Sequence, residues 1–166
     1  MITRYLTKNF YINTTIVFLI FILDRFSKIY VLKLDKVNYS TELYKSKFLN
    51  VSLIWNEGIA FGLLSFDESN FYNLVSLLIA IIILVIFFMI INNNNIKKYP
   101  LLMIFAGASG NLYDRIIYKA VPDFIDFHIG EFHWFIFNVA DIFISLGVFC
   151  MILIELIDNN ESNETI

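Results

Sequence analysis

The sequence predicts an all-α membrane protein, a four-transmembrane-helix bundle that carries a small β element on one membrane surface. Of its 166 residues, 58% are apolar, whereas soluble domains have about 45–50%. Only 16% are charged, against about 25% in soluble domains. The apolar residues fall into four stretches, each long enough to provide the about 20 residues that a bilayer-crossing helix needs.

The four apolar stretches differ in the charges they hold. The second is the clearest span, because no charged residue lies between Glu68 and Lys97. The first contains Asp24, Arg25 and Lys28, and no small-residue cleavage site follows it, so we expect a retained helix rather than a cleaved signal peptide. The expected spans are residues 10–32, 71–91, 99–117 and 134–157.

Length and composition also limit the domain organisation and the partners. The length fits one domain, which we place at residues 1–158, and we expect the polar tail at residues 159–166 to be disordered in the cytoplasm. The net charge of -3 offers no basic surface, so we expect no nucleic-acid partner. Cys150 is the single cysteine, which excludes an internal disulfide.

Lysines beside the spans indicate the orientation. Lys8 precedes the first span, and Lys97 and Lys98 lie in the short connection between the second and the third. Because cytoplasmic connections carry an excess of lysine and arginine, these positions favour cytoplasmic termini. Lys33, Lys36, Lys45 and Lys47 in the first long connection count against this orientation, so charge alone leaves it open. The long connections after the first and third spans then lie on the opposite side.

Both long connections contain sequence that is typical of strands. Residues 51–55 are rich in β-branched and aromatic side chains, and residues 56–58 offer turn chemistry. Residues 125–129 alternate apolar and polar side chains before a Gly130-Glu131 turn. Since both connections follow odd-numbered spans, these strands are expected on one membrane surface.

The costly polar residues of the spans gather near that same surface. Asp24 lies past the middle of the first span, Asp114 near the end of the third, and Asp141 near the start of the fourth. A charge at the membrane centre costs about 2.5–3.5 kcal/mol on insertion scales, so such residues need a compensating function. Their position at one leaflet favours a site at the interface and disfavours a conduction path through the bilayer.

Pairs of these polar residues recur at helical spacing. Residues three or four apart lie on one face of a helix, so each pair is expected to act together. The pairs are Asn111 with Asp114, Asn138 with Asp141, and Asp24 with Lys28. For Asp114, the adjacent Arg115 is the expected ion-pair partner.

Few side chains other than carboxylates could carry a reaction. Cys150 lies deep in the fourth span, and Ser109 has no histidine on a matching helical face. His128 and His133 lack the HExxH spacing of a zinc protease, so we expect no metal site there.

Aspartates therefore remain as the candidates for chemistry. Two aspartates held close together cannot both ionise, so one can take a proton from water while the other donates one. This chemistry needs no metal or cofactor. Spacing alone leaves the pair open, because Asp114 is as good a candidate as Asp123 or Asp141. The alternative is a small non-enzymatic membrane transport or scaffold subunit in which the polar residues only join the helices.

Five short motifs, in order and covering nearly the whole chain, resemble the bacterial lipoprotein signal peptidases. This family, also called signal peptidase II or prolipoprotein signal peptidase, consists of aspartyl peptidases. The motifs are DRFSK at residues 24–28, NEGIAFG at 56–62, AGASGNLYDR at 106–115, VPDF at 121–124 and FNVAD at 137–141.

The resemblance implies a membrane-embedded aspartyl endopeptidase of the bacterial inner membrane. Such an enzyme removes the signal peptide from diacylglyceryl-modified prolipoproteins by cleaving before the lipidated cysteine. Its implied partners are these substrates and membrane lipids, without a cofactor, and a monomer is expected. The implied fold is a four-helix bundle with an extracytoplasmic β-cradle, cytoplasmic termini and an active site at the extracytoplasmic leaflet.

The resemblance also assigns residues. It places the catalytic dyad at Asp123 and Asp141 and gives Asp24 and Lys28 a structural role behind the site. The residues implied to bind substrate or support the dyad are Asn56, Gly58, Asn111, Asp114, Arg115, Asn138 and Ala140.

Three positions depart from the family pattern: Pro122, Lys119 and Ala106, the last of which stands where glycine is usual. Pro122 stands where a β-branched residue is more usual, which removes a backbone donor next to Asp123. Lys119 stands where glycine is common, so we expect a change in the turn that leaves the third span.

Overall fold

The computed structural model describes residues 8–38, 43–58, 69–93 and 95–164. These residues form four α-helices and four β-strands. In chain order the elements are α1 (Lys8–Asn38), β1 (Tyr44–Lys45), β2 (Leu49–Asn56), α2 (Ser69–Asn92), α3 (Lys98–Tyr118), β3 (Val121–Ile129), β4 (Phe132–Phe137) and α4 (Val139–Glu164).

Two of the helices in the described ranges are long and apolar enough to cross a membrane. These stretches are Tyr72–Asn92 of α2, with a mean hydropathy of 3.5, and Val139–Asp158 of α4, with a mean hydropathy of 2.3. Most of their side chains face away from the protein interior, so large apolar surfaces are exposed on both helices. The other two helices contain most of the charged residues noted in the sequence, with Asp24, Arg25 and Lys28 in α1 and Asp114 and Arg115 in α3.

Helix α3 packs against α1, α2 and α4. Two glycines of α3 permit this close approach. A Cβ atom at Gly107 would lie 2.5 Å from the carbonyl oxygen of Ala140, and one at Gly110 would lie 2.7 Å from Asp24 Oδ2. Because these separations are too short for a real side chain, glycine at both positions lets α3 contact α1 and α4 directly.

The four strands form one antiparallel sheet in the order β1-β2-β3-β4. The predicted strands at residues 51–55 and 125–129 are confirmed, since they lie within β2 and β3. The predicted turn is also present, with Gly130 in the left-handed region at φ 62° between β3 and β4. The sheet contacts the helices that precede these two strands, β2 against α1 and β3 against α3.

The start of the predicted fourth span is wrong. Residues 134–137, assigned to that span, belong to β4, and α4 begins only at Val139. The sequence Phe132–Phe137 is a short apolar run, and such a run is ambiguous between a strand and a buried helical segment. This run forms a strand because it pairs with β3.

The prediction for the C-terminal tail also needs correction. Helix α4 continues to Glu164, where a disordered segment from residue 159 was expected. Other sequence predictions cannot be compared with the structure, because residues 59–62 of the second motif and residues 165–166 of the tail lie outside the described residues.

The fold accommodates both Pro122 and Lys119, two of the departures from the family pattern. Pro122 pairs with Trp55 of β2, whereas pairing of β3 with β4 begins only at Ile125. The missing amide hydrogen is tolerated at such a one-sided strand position. Lys119 ends α3 in the left-handed conformation, with φ 60° and ψ 15°, and its amide donates to the Arg115 carbonyl oxygen. The turn geometry that usually needs glycine is therefore kept.

Candidate active site

Two aspartates from different elements line one cavity. Asp123 lies in β3, and Asp141 lies in the first turn of α4. The cavity has a volume of about 190 Å³, and Asn56, Asn111 and other polar side chains form part of its wall. Asp114 is not one of the described residues that line this cavity. The fold thus distinguishes between carboxylates that spacing alone left equivalent.

Asp123 is held by two side-chain amides. Asn56 Nδ2 donates to Asp123 Oδ2 at 3.0 Å, and Asn138 Nδ2 donates to Oδ1 at 2.6 Å. The side chain is buried, at 4% exposure. Burial raises the pKa of the Asp123 carboxyl to about 6, although both amide hydrogen bonds act to lower it. Asp123 therefore titrates much closer to neutral pH than an ordinary aspartate.

Asp141 and Asn138 cap the start of α4 reciprocally. The Asp141 amide donates to Asn138 Oδ1 at 3.2 Å, and the Asn138 amide donates to Asp141 Oδ2 at 3.1 Å. The other oxygen of Asp141 accepts a hydrogen bond of 2.8 Å from Asn111 Nδ2. Asn138 was expected on the same helical face as Asp141, but it precedes the helix and acts as its cap. Capping fixes both side chains relative to the helix axis.

A buried cluster of charged side chains lies behind these aspartates. Lys28 Nζ lies 2.9 Å from Asp24 Oδ1 and donates at 2.7 Å to Asp114 Oδ2 and at 2.8 Å to Asn111 Oδ1. The predicted pairing of Asp24 with Lys28 is confirmed. Lys28 is 1% exposed, and Asp24 and Asp114 are fully buried. Each charge thus has a partner, which is the condition for keeping charges in an apolar interior.

Arg25 belongs to this cluster, although it was not among the predicted site residues. Its guanidinium forms ion pairs with Asp24 and Asp114 and donates to the Gly110 carbonyl oxygen at 3.2 Å. It also lies over the ring of Tyr113, at 4.9 Å from the ring centroid. Arg25 directly follows Asp24 in the first motif, and this adjacency could have identified Arg25 as a member of the cluster. Asp114 therefore pairs with Arg25 and Lys28 across helices, and the expected partner Arg115 points elsewhere.

Arg115 instead joins the cavity to the first long connection. Its guanidinium donates to the Gly58 carbonyl oxygen at 2.8 Å and to the Asn111 carbonyl oxygen at 3.4 Å. The Gly58 amide in turn donates to Asn56 Oδ1 at 3.0 Å. Arg115 Nε is buried and makes no hydrogen bond to any described residue. The Arg115 side chain forms part of the cavity wall.

Asp24 connects the charged cluster to α4. Its Oδ1 accepts a hydrogen bond of 3.1 Å from the backbone amide of Ala140, which is fully buried.

The predicted site residues fall into two neighbouring groups. The cavity group comprises Asn56, Asn111, Arg115, Asp123, Asn138 and Asp141, and the group behind it comprises Asp24, Lys28, Asp114 and Ala140. Gly58 contacts the first group through Arg115.

Two carboxyl groups that line one largely buried cavity are suited to acid–base chemistry. Because two like charges in a poorly solvated site repel each other, the pair retains a proton over a wider pH range than separate aspartates. The ionised member can accept a proton from water, and the protonated member can donate one to a carbonyl oxygen or an amine. The amide donors orient both groups for this exchange.

Comparison with known proteins agrees with this arrangement. The family described as signal peptidase (SPase) II matches residues 16–157. The lipoprotein signal peptidase of Pelagibacter ubique is 56% identical over 154 residues, which cover 93% of each chain. That of Anaplasma marginale is 34% identical over 151 residues, which cover 90% of this chain and 86% of the relative.

Solved structures show the same fold. A bacterial membrane enzyme determined by the in meso method at 2.3 Å resolution has a TM-score of 0.71 and 26% identity, over 90% of both chains. A second one, at 1.9 Å resolution, has a TM-score of 0.65 and 28% identity, over 87% of this chain and 91% of its own. The match over most of the length, the order of the motifs and the fold together show that this chain belongs to the signal peptidase II family of membrane-embedded peptidases.

Proposed function

We propose that the chain is an aspartic endopeptidase that removes the signal peptide from diacylglyceryl-modified prolipoproteins, with Asp123 and Asp141 as its catalytic dyad. The observation that carries this proposal is the single cavity lined by both carboxyl groups. Each is oriented by side-chain amides, from Asn56 and Asn138 on one side and from Asn111 on the other.

In the proposed reaction the dyad shares one proton. The ionised aspartate accepts a proton from a water molecule, whose oxygen attacks the carbonyl carbon of the peptide bond before the lipidated cysteine. The protonated aspartate donates its proton to the carbonyl oxygen, which gives a tetrahedral diol. When the C–N bond breaks, the aspartate that took the proton from water donates it to the leaving amine, and the other aspartate takes a proton back from a hydroxyl of the diol. The products are a signal peptide with a new carboxylate and a lipoprotein with a new amino terminus.

Other residues around the cavity are proposed to bind and align the substrate. Arg115 lines the cavity and can donate hydrogen bonds to a substrate carbonyl oxygen, and its contact with Gly58 would hold the first long connection beside it. Asp24, Lys28 and Asp114 are proposed to hold α1, α3 and α4 together behind the dyad. Since one chain supplies all these residues, we expect a monomer to be active.

We also propose that all four helices cross the bacterial inner membrane, with both termini in the cytoplasm and the dyad at the extracytoplasmic leaflet. The charged residues of α1 and α3 are compatible with a membrane, because Asp24, Lys28 and Asp114 are buried and paired inside the bundle. The apolar faces of α2 and α4 point outward, as lipid contact requires.

The dyad is tested by cleavage of a diacylglyceryl-modified prolipoprotein with purified protein. Asp123→Asn and Asp141→Asn should each lower the rate by at least about a hundredfold, because an amide can neither accept nor donate the catalytic proton. Asp158→Asn, which removes an exposed carboxyl group at 51% exposure, is the matched control and should leave the rate unchanged. Cleavage by both dyad variants at the rate of the original chain would refute the assignment and favour a transport or scaffold role.

The orientation is tested by labelling spheroplasts with a membrane-impermeant maleimide. Single cysteines are introduced in a Cys150→Ser background. Lys119→Cys, which follows α3, should be labelled from outside, whereas Ile96→Cys, between α2 and α3, should be labelled only after lysis. The opposite pattern would invert the proposed topology.

A further inference from the structure

Two histidines and an aspartate lie together on the sheet, outside the cavity described above. One potential ligand atom of each of Asp126, His128 and His133 lies within 4.8 Å of the others. Asp126 and His128 are two residues apart in β3, so both point to the same face of the sheet. His133 of β4 is paired directly with His128 across the strands. The hairpin thereby places three ligating side chains on one face.

The contacts within this group leave ligating capacity unused. His133 Nδ1 lies 2.8 Å from Asp126 Oδ2 and 3.0 Å from Oδ1, and the two histidine rings stack with centroids 5.1 Å apart. His128 Nδ1 is buried and has no hydrogen-bond partner among the described residues. Asn50 Nδ2 lies 3.4 Å from Asp126 Oδ2 and is placed to orient that carboxylate. The group therefore combines a carboxylate, two imidazoles and a buried ring nitrogen that has no hydrogen-bond partner within the described ranges.

We infer that Asp126, His128 and His133 form a binding site for a transition-metal cation of the Zn²⁺ class. Two imidazole nitrogens and one carboxylate oxygen match the ligands that Zn²⁺ prefers, whereas Ca²⁺ and Mg²⁺ require mainly oxygen ligands. The three ligand atoms lie within 4.8 Å of one another, and Zn²⁺ binds such nitrogen and oxygen atoms at about 2.0–2.2 Å. Water would complete the coordination, since His133 is exposed.

The metal would join β3 to β4 and take no part in peptide hydrolysis. Asp123 and Asp126 are three residues apart in β3, so their side chains point to opposite faces of the sheet. The strand pairing shifts register between Asp126 and His128. A metal held across this irregular step would stabilise the sheet that carries Asp123. This inference revises the expectation that the two histidines hold no metal, and it does not depend on the proposed function.

The test is calorimetric titration of the purified full chain with Zn²⁺, after treatment with EDTA and dialysis. The chain has only two histidines, so a purification tag without histidine is essential. We expect one ion per chain, and His128→Asn or His133→Asn should weaken binding by at least about tenfold. The matched control is Trp134→Phe, which alters an exposed aromatic side chain next to His133 in β4 without removing a ligand atom. This variant should bind Zn²⁺ as tightly as the original chain does.

A second measurement keeps the test independent of folding defects in the variants. Co²⁺ bound to the original chain should give the visible absorption of a low-symmetry site with nitrogen ligands, and Zn²⁺ should displace it. Zn²⁺ should also raise the midpoint of thermal unfolding of the original chain, but not that of His133→Asn. The inference would be overturned if the original chain bound neither Zn²⁺ nor Co²⁺. It would also be overturned if both histidine variants bound Zn²⁺ as tightly as the original chain does.

Discussion

The Asp24 carboxylate of α1 accepts a hydrogen bond of 3.1 Å from the backbone amide of Ala140, in the first turn of α4. The first amides of a helix have no partner within the helix, and its N-terminus carries partial positive charge, so a carboxylate is well suited to this position. Asp24 also pairs with Lys28, which reaches Asp114 in α3. One buried network therefore sets the positions of three helices around the cavity.

The central lysine of this network should contribute strongly to stability. Lys28→Met would leave the buried carboxylates of Asp24 and Asp114 with fewer partners. We expect a loss of about 3–5 kcal/mol in the free energy of unfolding, the usual result of removing one member of a buried ion pair. Unfolding in mixed detergent micelles, followed by circular dichroism, measures this loss.

The matched control for Lys28→Met is Lys97→Met. Lys97 also contacts two carboxylates, those of Glu155 at 2.9 Å and Asp158 at 2.8 Å, but these side chains are exposed. Because exposed ion pairs are screened by water, we expect a much smaller loss of stability. Equal losses in the two variants would mean that burial of the Lys28 cluster does not govern its contribution.

The raised pKa of Asp123 predicts a specific dependence of stability on pH. Burial raises that pKa to about 6 in the folded chain, and in the unfolded chain it is about 4. The proton on Asp123 therefore stabilises the fold fully below about pH 4, and this contribution is lost as the pH rises through about 6. Asp123→Asn cannot ionise, so its unfolding temperature should rise relative to that of the original chain between about pH 4 and pH 7.

This comparison uses the change with pH and not the absolute difference. Loss of a hydrogen-bond acceptor for Asn56 or Asn138 lowers the stability of Asp123→Asn equally at every pH. Scanning calorimetry at matched ionic strength provides the measurement, with the exposed Asp158→Asn as the control. A difference between Asp123→Asn and the original chain that stays constant across this range would contradict the prediction.

Lys119 offers a test of backbone strain at the end of α3. Its φ of 60° is costly for a residue with a side chain, because Cβ approaches the following carbonyl oxygen. Lys119→Gly should increase the free energy of unfolding by about 1 kcal/mol. Lys119→Ala retains Cβ and removes the same charge, so it should give no such gain. If the two variants gain equally in chemical unfolding, charge rather than conformation is responsible.

Much of this architecture was predictable because it depends on local sequence. Periodicity and turn residues identified β2 and β3, and the helical spacing of Asp24 and Lys28 predicted their ion pair. Predictions were wrong where a local pattern admits two structures. The apolar run at residues 132–137 suits a strand or a membrane helix equally, and pairing with β3 made it a strand.

By itself, the sequence determined the apolar helices, the strands at residues 51–55 and 125–129 and the set of polar residues available for chemistry, since each follows from side chains near one another in the chain. Only the tertiary structure decided which carboxylates share a cavity. Asp114 is bound by Arg25 and Lys28, 89 and 86 residues away, whereas Asp123 and Asp141 line the cavity together. These contacts depend on the close packing of α3 against α1 and α4 and on the position of β3, and no local spacing specifies either.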